Sequence, residues 1–222
     1  MSWHAKPSGW YAIQSVEGTD NIMAINSLLL SAGYSRAARA GVLANCNNES
    51  GLNPWRWQAD TVSQGGGYGL FQFTPASDYF NDCSGLPYYA PNTSVSQQTT
   101  GAQPTDGICQ VNVLINDYLG KWVNTCWRSY WSDTALRAKS IQILTDWGSG
   151  TTISQTQFKA ITDIEDALFC FFACYEGPLN EYDYYGRVND AYTIYNMIGG
   201  GPTPIHHGKL PIWMMCKPYW KR

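Results

Sequence analysis

Glu49 is the side chain with the strongest claim to chemistry. It stands in Asn47-Asn48-Glu49-Ser50-Gly51-Leu52-Asn53-Pro54, where a helical pattern gives out, with Trp55 and Trp57 just beyond. A carboxyl between a helix end and indole rings is poorly solvated, and the negative pole of the helix further disfavours its charge. Such an acid stays protonated near neutral pH and can donate to a leaving oxygen. A solvated glutamate at a helix terminus fits the same residues, and on chemistry alone that plainer reading is the better one. The other reactive residues are seven cysteines: Cys46, Cys83, Cys109, Cys126, Cys170, Cys174 and Cys216. A metal set built from Cys170, Cys174, His206, His207 and Cys216 is disfavoured. Its first two members lie in an apolar helical stretch and its two histidines are adjacent. The cysteines therefore read as reduced, buried core residues, and no metal or cofactor is expected.

The elements that must position Glu49 can be read from periodicity and caps. A first helix is expected over Glu17 to Ser31, with Ile22, Ile25 and Leu29 on one face and Gly33 as its stop. Ser35 then caps a second helix, Arg36 to about Asn47, whose small residues allow close packing. Residues 50–73 carry Gly, Pro, Trp and Gln between short strand-like pieces, including Gly69-Leu70-Phe71-Gln72-Phe73. Thr74-Pro75 should open a helix as capping hydroxyl and first-turn proline. Further helices are expected over Thr105 to about Val123, over Asp163 to Tyr175 behind a Thr162 cap, and over Asp183 to Met197. The fold class is α+β, mostly helical, with a small β element near the front, in one domain over 1–198. Residues 199–222 form a Gly/Pro-rich C-terminal arm in which Trp213, Met214, Met215 and Trp220 suggest a contact for another chain.

Composition narrows the partners. The 222 residues hold 15 Tyr, 10 Trp and 7 Phe but are only 14% charged, against about a quarter in an ordinary soluble domain. A net charge of -3 argues against nucleic acid, which is bound through Lys and Arg contacts to phosphate. The longest uncharged apolar run, residues 167–175, is about half of what a bilayer span requires. Met1 to Pro7 lacks the charged and apolar regions of a secretory signal, so no signal peptide is expected. A Trp/Tyr-rich surface suits flat, hydroxyl-rich ligands, since the ring face packs on sugar C–H groups and the polar edge hydrogen-bonds.

Blocks in a fixed order narrow this further: Trp3-His4-Ala5-Lys6-Pro7-Ser8-Gly9, Ala40-Gly41-Val42-Leu43-Ala44-Asn45, Glu49-Ser50-Gly51-Leu52-Asn53-Pro54-Trp55-Arg56-Trp57-Gln58, Gly67-Tyr68-Gly69-Leu70-Phe71-Gln72-Phe73-Thr74-Pro75-Ala76-Ser77 and Cys174-Tyr175-Glu176-Gly177-Pro178. In order and spacing, over roughly residues 3–198, the chain resembles the phage tail lysozyme family. The resemblance implies a lysozyme-like fold, helices around a small β-sheet beside the end of the catalytic helix, with a cleft for a glycan strand. It implies cleavage of the β-1,4 bond between N-acetylmuramic acid and N-acetylglucosamine in bacterial peptidoglycan, with Glu49 as the catalytic acid.

Asp60 is then the candidate second carboxylate. On a hairpin facing Glu49 it would activate water and give inversion if the carboxyls lie roughly 6.5–9.5 Å apart. A turn aspartate bonding its own backbone is the alternative. Without Asp60, Glu49 serves as acid and then base in a lytic transglycosylase. Gln72 is expected to bind an N-acetyl group or a water, and Tyr68, Trp57 and Tyr175 to line the cleft beside Trp55. Glu176 reads as structural. The family pattern places Arg after this Glu where the chain has Gly177, and Arg187 is the candidate substitute. The resemblance also implies a virion-borne protein, synthesised in the host cytoplasm, acting from the tail on the host cell wall beside other tail proteins. A free endolysin and a non-enzymatic tail component with the same fold are the alternatives.

Overall fold

The structure, a computed structural model, describes residues 2–5, 15–95, 106–123, 131–178, 181 and 184–199. Helix α1, Val16–Ser31, starts where Ser15 accepts a hydrogen bond from the Gly18 amide at 2.9 Å, and it buries Ile22, Ile25 and Leu29. Helix α2, Arg36–Ser50, is capped by Ser35 as expected but runs three residues past Asn47, so Glu49 lies inside its last turn. Nearly every α2 side chain is buried, which makes it the central helix. Its small residues permit this. A Cβ on Gly41 would lie 2.8 Å from the carbonyl carbon of Ala167, so glycine lets two backbones touch. The helix stops at Gly51, in the left-handed region at φ 64°, with the Gly51 and Leu52 amides returning to Asn47 and Cys46 carbonyls.

The expected small sheet is not formed: among the described residues this region has isolated antiparallel bridges, Trp57 with Tyr68 and Tyr68 with Phe73, and no strand. Gly69 at φ 78° and Gln72 at φ 44° turn the chain too tightly for a ladder to extend. The segment is held by backbone bonds from Gln58 to Gly67 and from Gly69 to Arg56. It is also held through Asp106, whose buried carboxylate accepts from Tyr68, Tyr79, Gln110 and the Ala90 amide at 2.6–3.1 Å. Burial raises the Asp106 pKa and those four donors oppose the rise.

Helix α3, Ala76–Asp82, follows a cis Thr74–Pro75 peptide bond. Thr74 does not cap it, because its hydroxyl donates to the Gln72 carbonyl, and Pro75 stands at the cap position instead of the first turn. Helix α4, Asp106–Asn116, ends earlier than expected, where Asp117 and Gly120 take positive φ before a short 3-10 turn at Lys121–Val123. Two helices were not anticipated: α5, Thr134–Asp146, capped by Asp133, and α6, Gln155–Ala160, opened by a Ser154–Gln157 capping box. Helix α7, Ile164–Cys170, is capped by Asp163 rather than Thr162 and passes into a π-helical turn, Phe171–Glu176. Helix α8 spans Tyr184–Met197. Helices α2, α7 and α8 form the packed centre of the fold.

Cys46, Cys83, Cys109 and Cys170 are buried free thiols, while Cys174 is disulfide-bonded, so the all-reduced expectation fails there. No described helix is long and apolar enough to cross a membrane. The expected arm, 199–222, lies outside the described residues apart from Gly199, as do Cys126, Cys216, His206 and His207.

Candidate active site

A cavity of about 360 Å³ opens where the last turn of α2, the turn at 56–59, the loop at 71–74, the 3-10 turn and the π turn converge. Glu49, Arg56, Gln72, Lys121, Tyr175 and Glu176 are among the residues that line it. Each is placed by local chain chemistry. Glu49 projects from the end of α2, and Ser50 ties that end to the loop by sharing its hydroxyl hydrogen between the Cys46 and Leu70 carbonyls. The wider spacing of the π turn directs both Tyr175 and Glu176 toward the cavity.

Behind the cavity wall Arg187 of α8 joins the two glutamates. Its Nη2 donates to Glu49 Oε1 at 2.5 Å and its Nη1 to Glu176 Oε2 at 2.7 Å. Nη1 also donates to Asn45 Oδ1 at 2.7 Å, and the guanidinium lies over the Phe172 ring, 4.6 Å from its centroid. Asn45 is fixed in turn by bonds to the Gly41 and Leu168 carbonyls. Burial alone would weaken the charge on Arg187, but the two carboxylates outweigh it and hold the guanidinium protonated. The glutamates differ in exposure: the Glu49 side chain is 28% exposed and that of Glu176 is 8%. Burial first, then the charge of Glu49, pushes the Glu176 pKa up to about 8 against the pull of Arg187. A desolvated carboxyl therefore stands beside Glu49, at Glu176.

The remaining expected site residues divide. Gln72 lines the cavity, and its amide nitrogen donates to the carbonyls of Gly69 at 2.9 Å and Arg56 at 3.3 Å. Tyr175 lines it too, its ring stacked on Phe171 with centroids 4.7 Å apart. Trp57 and Tyr68 do not. Both are fully buried and packed on one another and on Phe80, with the Trp57 indole donating to Asn92 and the Tyr68 phenol to Asp106. These rings complete the core beneath the loop, which corrects their expected place in the cleft. Trp55 is half-buried and donates to the Ala90 carbonyl, away from the lining. Asp60 stands in the 3-10 turn Gln58–Asp60, outside the lining and 48% exposed, with Arg56 Nη1 at 2.7 Å from its Oδ1.

Sequence reasoning passed over Asn45, Arg56 and Lys121, and took Glu176 as structural. One signal was available. Tyr184, Arg187, Ala191 and Ile194 share the buried stripe of α8, and an arginine on an apolar stripe calls for a buried anionic partner. The guanidinium that the family pattern places after Glu176 comes here from Arg187, as its candidacy implied.

Over 73 residues the chain is 41% identical to Morphogenesis protein 1 of Bacillus phage B103. That stretch makes up 32% of this chain and 20% of the relative, so the chain spans about a fifth of that protein's length. A family model, phage tail lysozyme, matches residues 20–198, the stretch that contains most of α1, all of α2 to α8 and the whole cavity. With most of its length matched, and with the Glu49 helix end and the Gly-Leu-Phe-Gln loop facing one cavity, the chain belongs to the phage tail lysozyme family.

Proposed function

We propose that the chain is a peptidoglycan glycosidase that cleaves the β-1,4 bond between N-acetylmuramic acid and N-acetylglucosamine, with Glu49 as the general acid. The observation that carries this reading is the placement of Glu49. It is the more open of the two glutamates lining the cavity, it rises from a helix end, and it is oriented from behind by a buried guanidinium. Glu49 protonates the glycosidic oxygen as the bond to C1 lengthens and positive charge develops at the ring. Gln72 commits its amide nitrogen to the loop backbone, which leaves its carbonyl end for the N–H of an N-acetyl group. Tyr175 forms an aromatic wall, and Arg56 and Lys121 add positive charge to the lining.

The completion of the reaction has two routes. In the first, Asp60, which pairs with Arg56 through one oxygen and stands outside the cavity lining, activates water. Both glutamates of the lining share one guanidinium and so occupy one side of the cavity, which favours the second route. There Glu49 deprotonates the muramyl C6 hydroxyl, and the product carries an anhydro end. Mass spectrometry of digests of purified peptidoglycan separates the routes: free reducing ends mark hydrolysis, and anhydro-muramyl ends mark the intramolecular route. Asp60→Asn abolishes reducing-end products if Asp60 is the base and leaves them unchanged if it is not. In the particle, we place this activity at the tail beside other tail proteins, opening the host wall locally for genome entry. The family match supports this placement over a free endolysin or a non-enzymatic tail component.

A further inference from the structure

The corner that holds Glu49 carries a second inference, which rests on the glycosidase reading. Two carboxyls and one guanidinium make an uneven set. With both glutamates ionised, the cluster holds an excess negative charge against Phe172 and Tyr175, largely out of water. Oε2 of Glu176 takes its bond from Arg187, but Oε1 is buried and meets no donor among the described residues. A carboxylate oxygen so placed is destabilised, whereas a carboxylic O–H there is itself a donor, and the Glu49 carboxyl is close enough to act on the Glu176 charge. We propose that Glu49 and Glu176 share one proton under Arg187, with Glu176 holding it while the cavity is empty and passing it to Glu49 as the glycosidic bond breaks. Glu176 is thus a positioning residue that acts through Glu49.

The protons balance. In the resting pair Glu176 is neutral and Glu49 is the carboxylate. The proton moves from Glu176 to Glu49, and the negative charge moves the opposite way. Arg187 bonds both carboxyls and need not shift. Glu49 then protonates the bridging oxygen, which keeps the electron pair of the broken C1–O bond. Water, or the muramyl hydroxyl, bonds to C1 and yields its proton to Glu49, and the pair returns to one proton. The groups facing Glu176 leave this store intact. Cys46 of α2 is held as a thiol by burial and by both glutamates, and Tyr175 of the π turn is held as a phenol by burial. Among the described residues, Lys121 of the 3-10 turn, Arg56 of the turn at 56–59 and Arg187 of α8, with Asp190 behind it, are the other charged groups around the pair.

The test is the pH profile of peptidoglycan cleavage by wild type, Glu176→Gln and Glu176→Asp. Glutamine copies the neutral shape of Glu176 but holds no transferable proton. Cleavage by Glu176→Gln should stay within about threefold of wild type near pH 5 and fall about tenfold or more below it near pH 8, with Glu176→Asp recovering part of that limb. Superimposable profiles for wild type and Glu176→Gln would overturn the proposal. Titration of the intact protein labelled with carboxyl-13C glutamate gives a second readout that needs no variant to fold and no substrate. The chain has five glutamates, so five signals are followed. One should stay protonated well above the ordinary carboxylate range, and its titration should change in Glu49→Gln. Five ordinary titrations would overturn the proposal. If wild type leaves peptidoglycan intact at every pH, the glycosidase reading falls, and the carbon titration still decides whether the proton is shared.

Discussion

Arg187 is the residue on which the site depends. A planar fork can bond two carboxyls and an amide oxygen at once, which a lysine ammonium cannot do with the same geometry. Removing one partner of such a buried ionic set leaves uncompensated charge, an effect of about 3–5 kcal/mol. Arg187→Met should therefore lose about that much stability near neutral pH and regain part of it near pH 4, as the cluster takes up protons and its uncompensated charge falls. Denaturant titrations at the two pH values measure this directly. An equal loss at both would show that Arg187 acts through packing on Phe172 rather than through charge. At this scale the sequence was informative about Glu49, whose residue context placed it at a helix end, and much less so about its neighbours. Glu176 and Arg187 lie far from Glu49 in the chain, and only the approach of α8 to α2 gives them a shared task.

Among the elements, α2 packs directly on α7, the helix that runs into the π turn of the cavity. Gly41 is where the two backbones meet, and an added methyl would press on the Ala167 and Leu168 backbone rather than on a side chain that can move aside. Gly41→Ala should destabilise the protein by about 1–3 kcal/mol, read as a lower denaturant midpoint at unchanged slope. Helix α1 and the start of α2, each opened by a serine cap, and α8 were legible in the sequence. Helix α5 was not, because it buries only Leu136, Ser140 and Ile143 and leaves a wide polar surface, and α6 is a short piece defined by its capping box. The strand reading of residues 69–73 failed for a different reason. Leu70, Phe71 and Phe73 give a β-like pattern, but the positive φ values at Gly69 and Gln72 fold that stretch into a turn beside the cavity.

For the whole molecule, the excess of aromatic residues acquires a different meaning from the one its composition suggested. Trp57, Tyr68, Phe73 and Tyr79 are buried beneath the loop, so much of the Trp and Tyr content builds the core and only part faces the cavity. The proton on Glu176 is also a global property, because it ties stability to pH. Its folded-state pKa lies above that of an exposed glutamate in the unfolded chain, so the folded state binds the proton more tightly. The stability this confers is fully present below the ordinary carboxylate range and is lost as pH rises toward about 8. The melting temperature of wild type should fall across that window, and the fall should be shallower in Glu176→Gln. Parallel melting curves for the two proteins would remove the linkage. The central claim is that Glu49 is the acid that breaks a glycan strand, and the most direct test is digestion of purified peptidoglycan by wild type and Glu49→Gln, with the released fragments identified by mass spectrometry. The account predicts muramyl-ended fragments from wild type and a loss of at least about a hundredfold in the variant, with both proteins shown to be folded at the assay temperature. Equal fragment yields from the two proteins, or none from either, would contradict it.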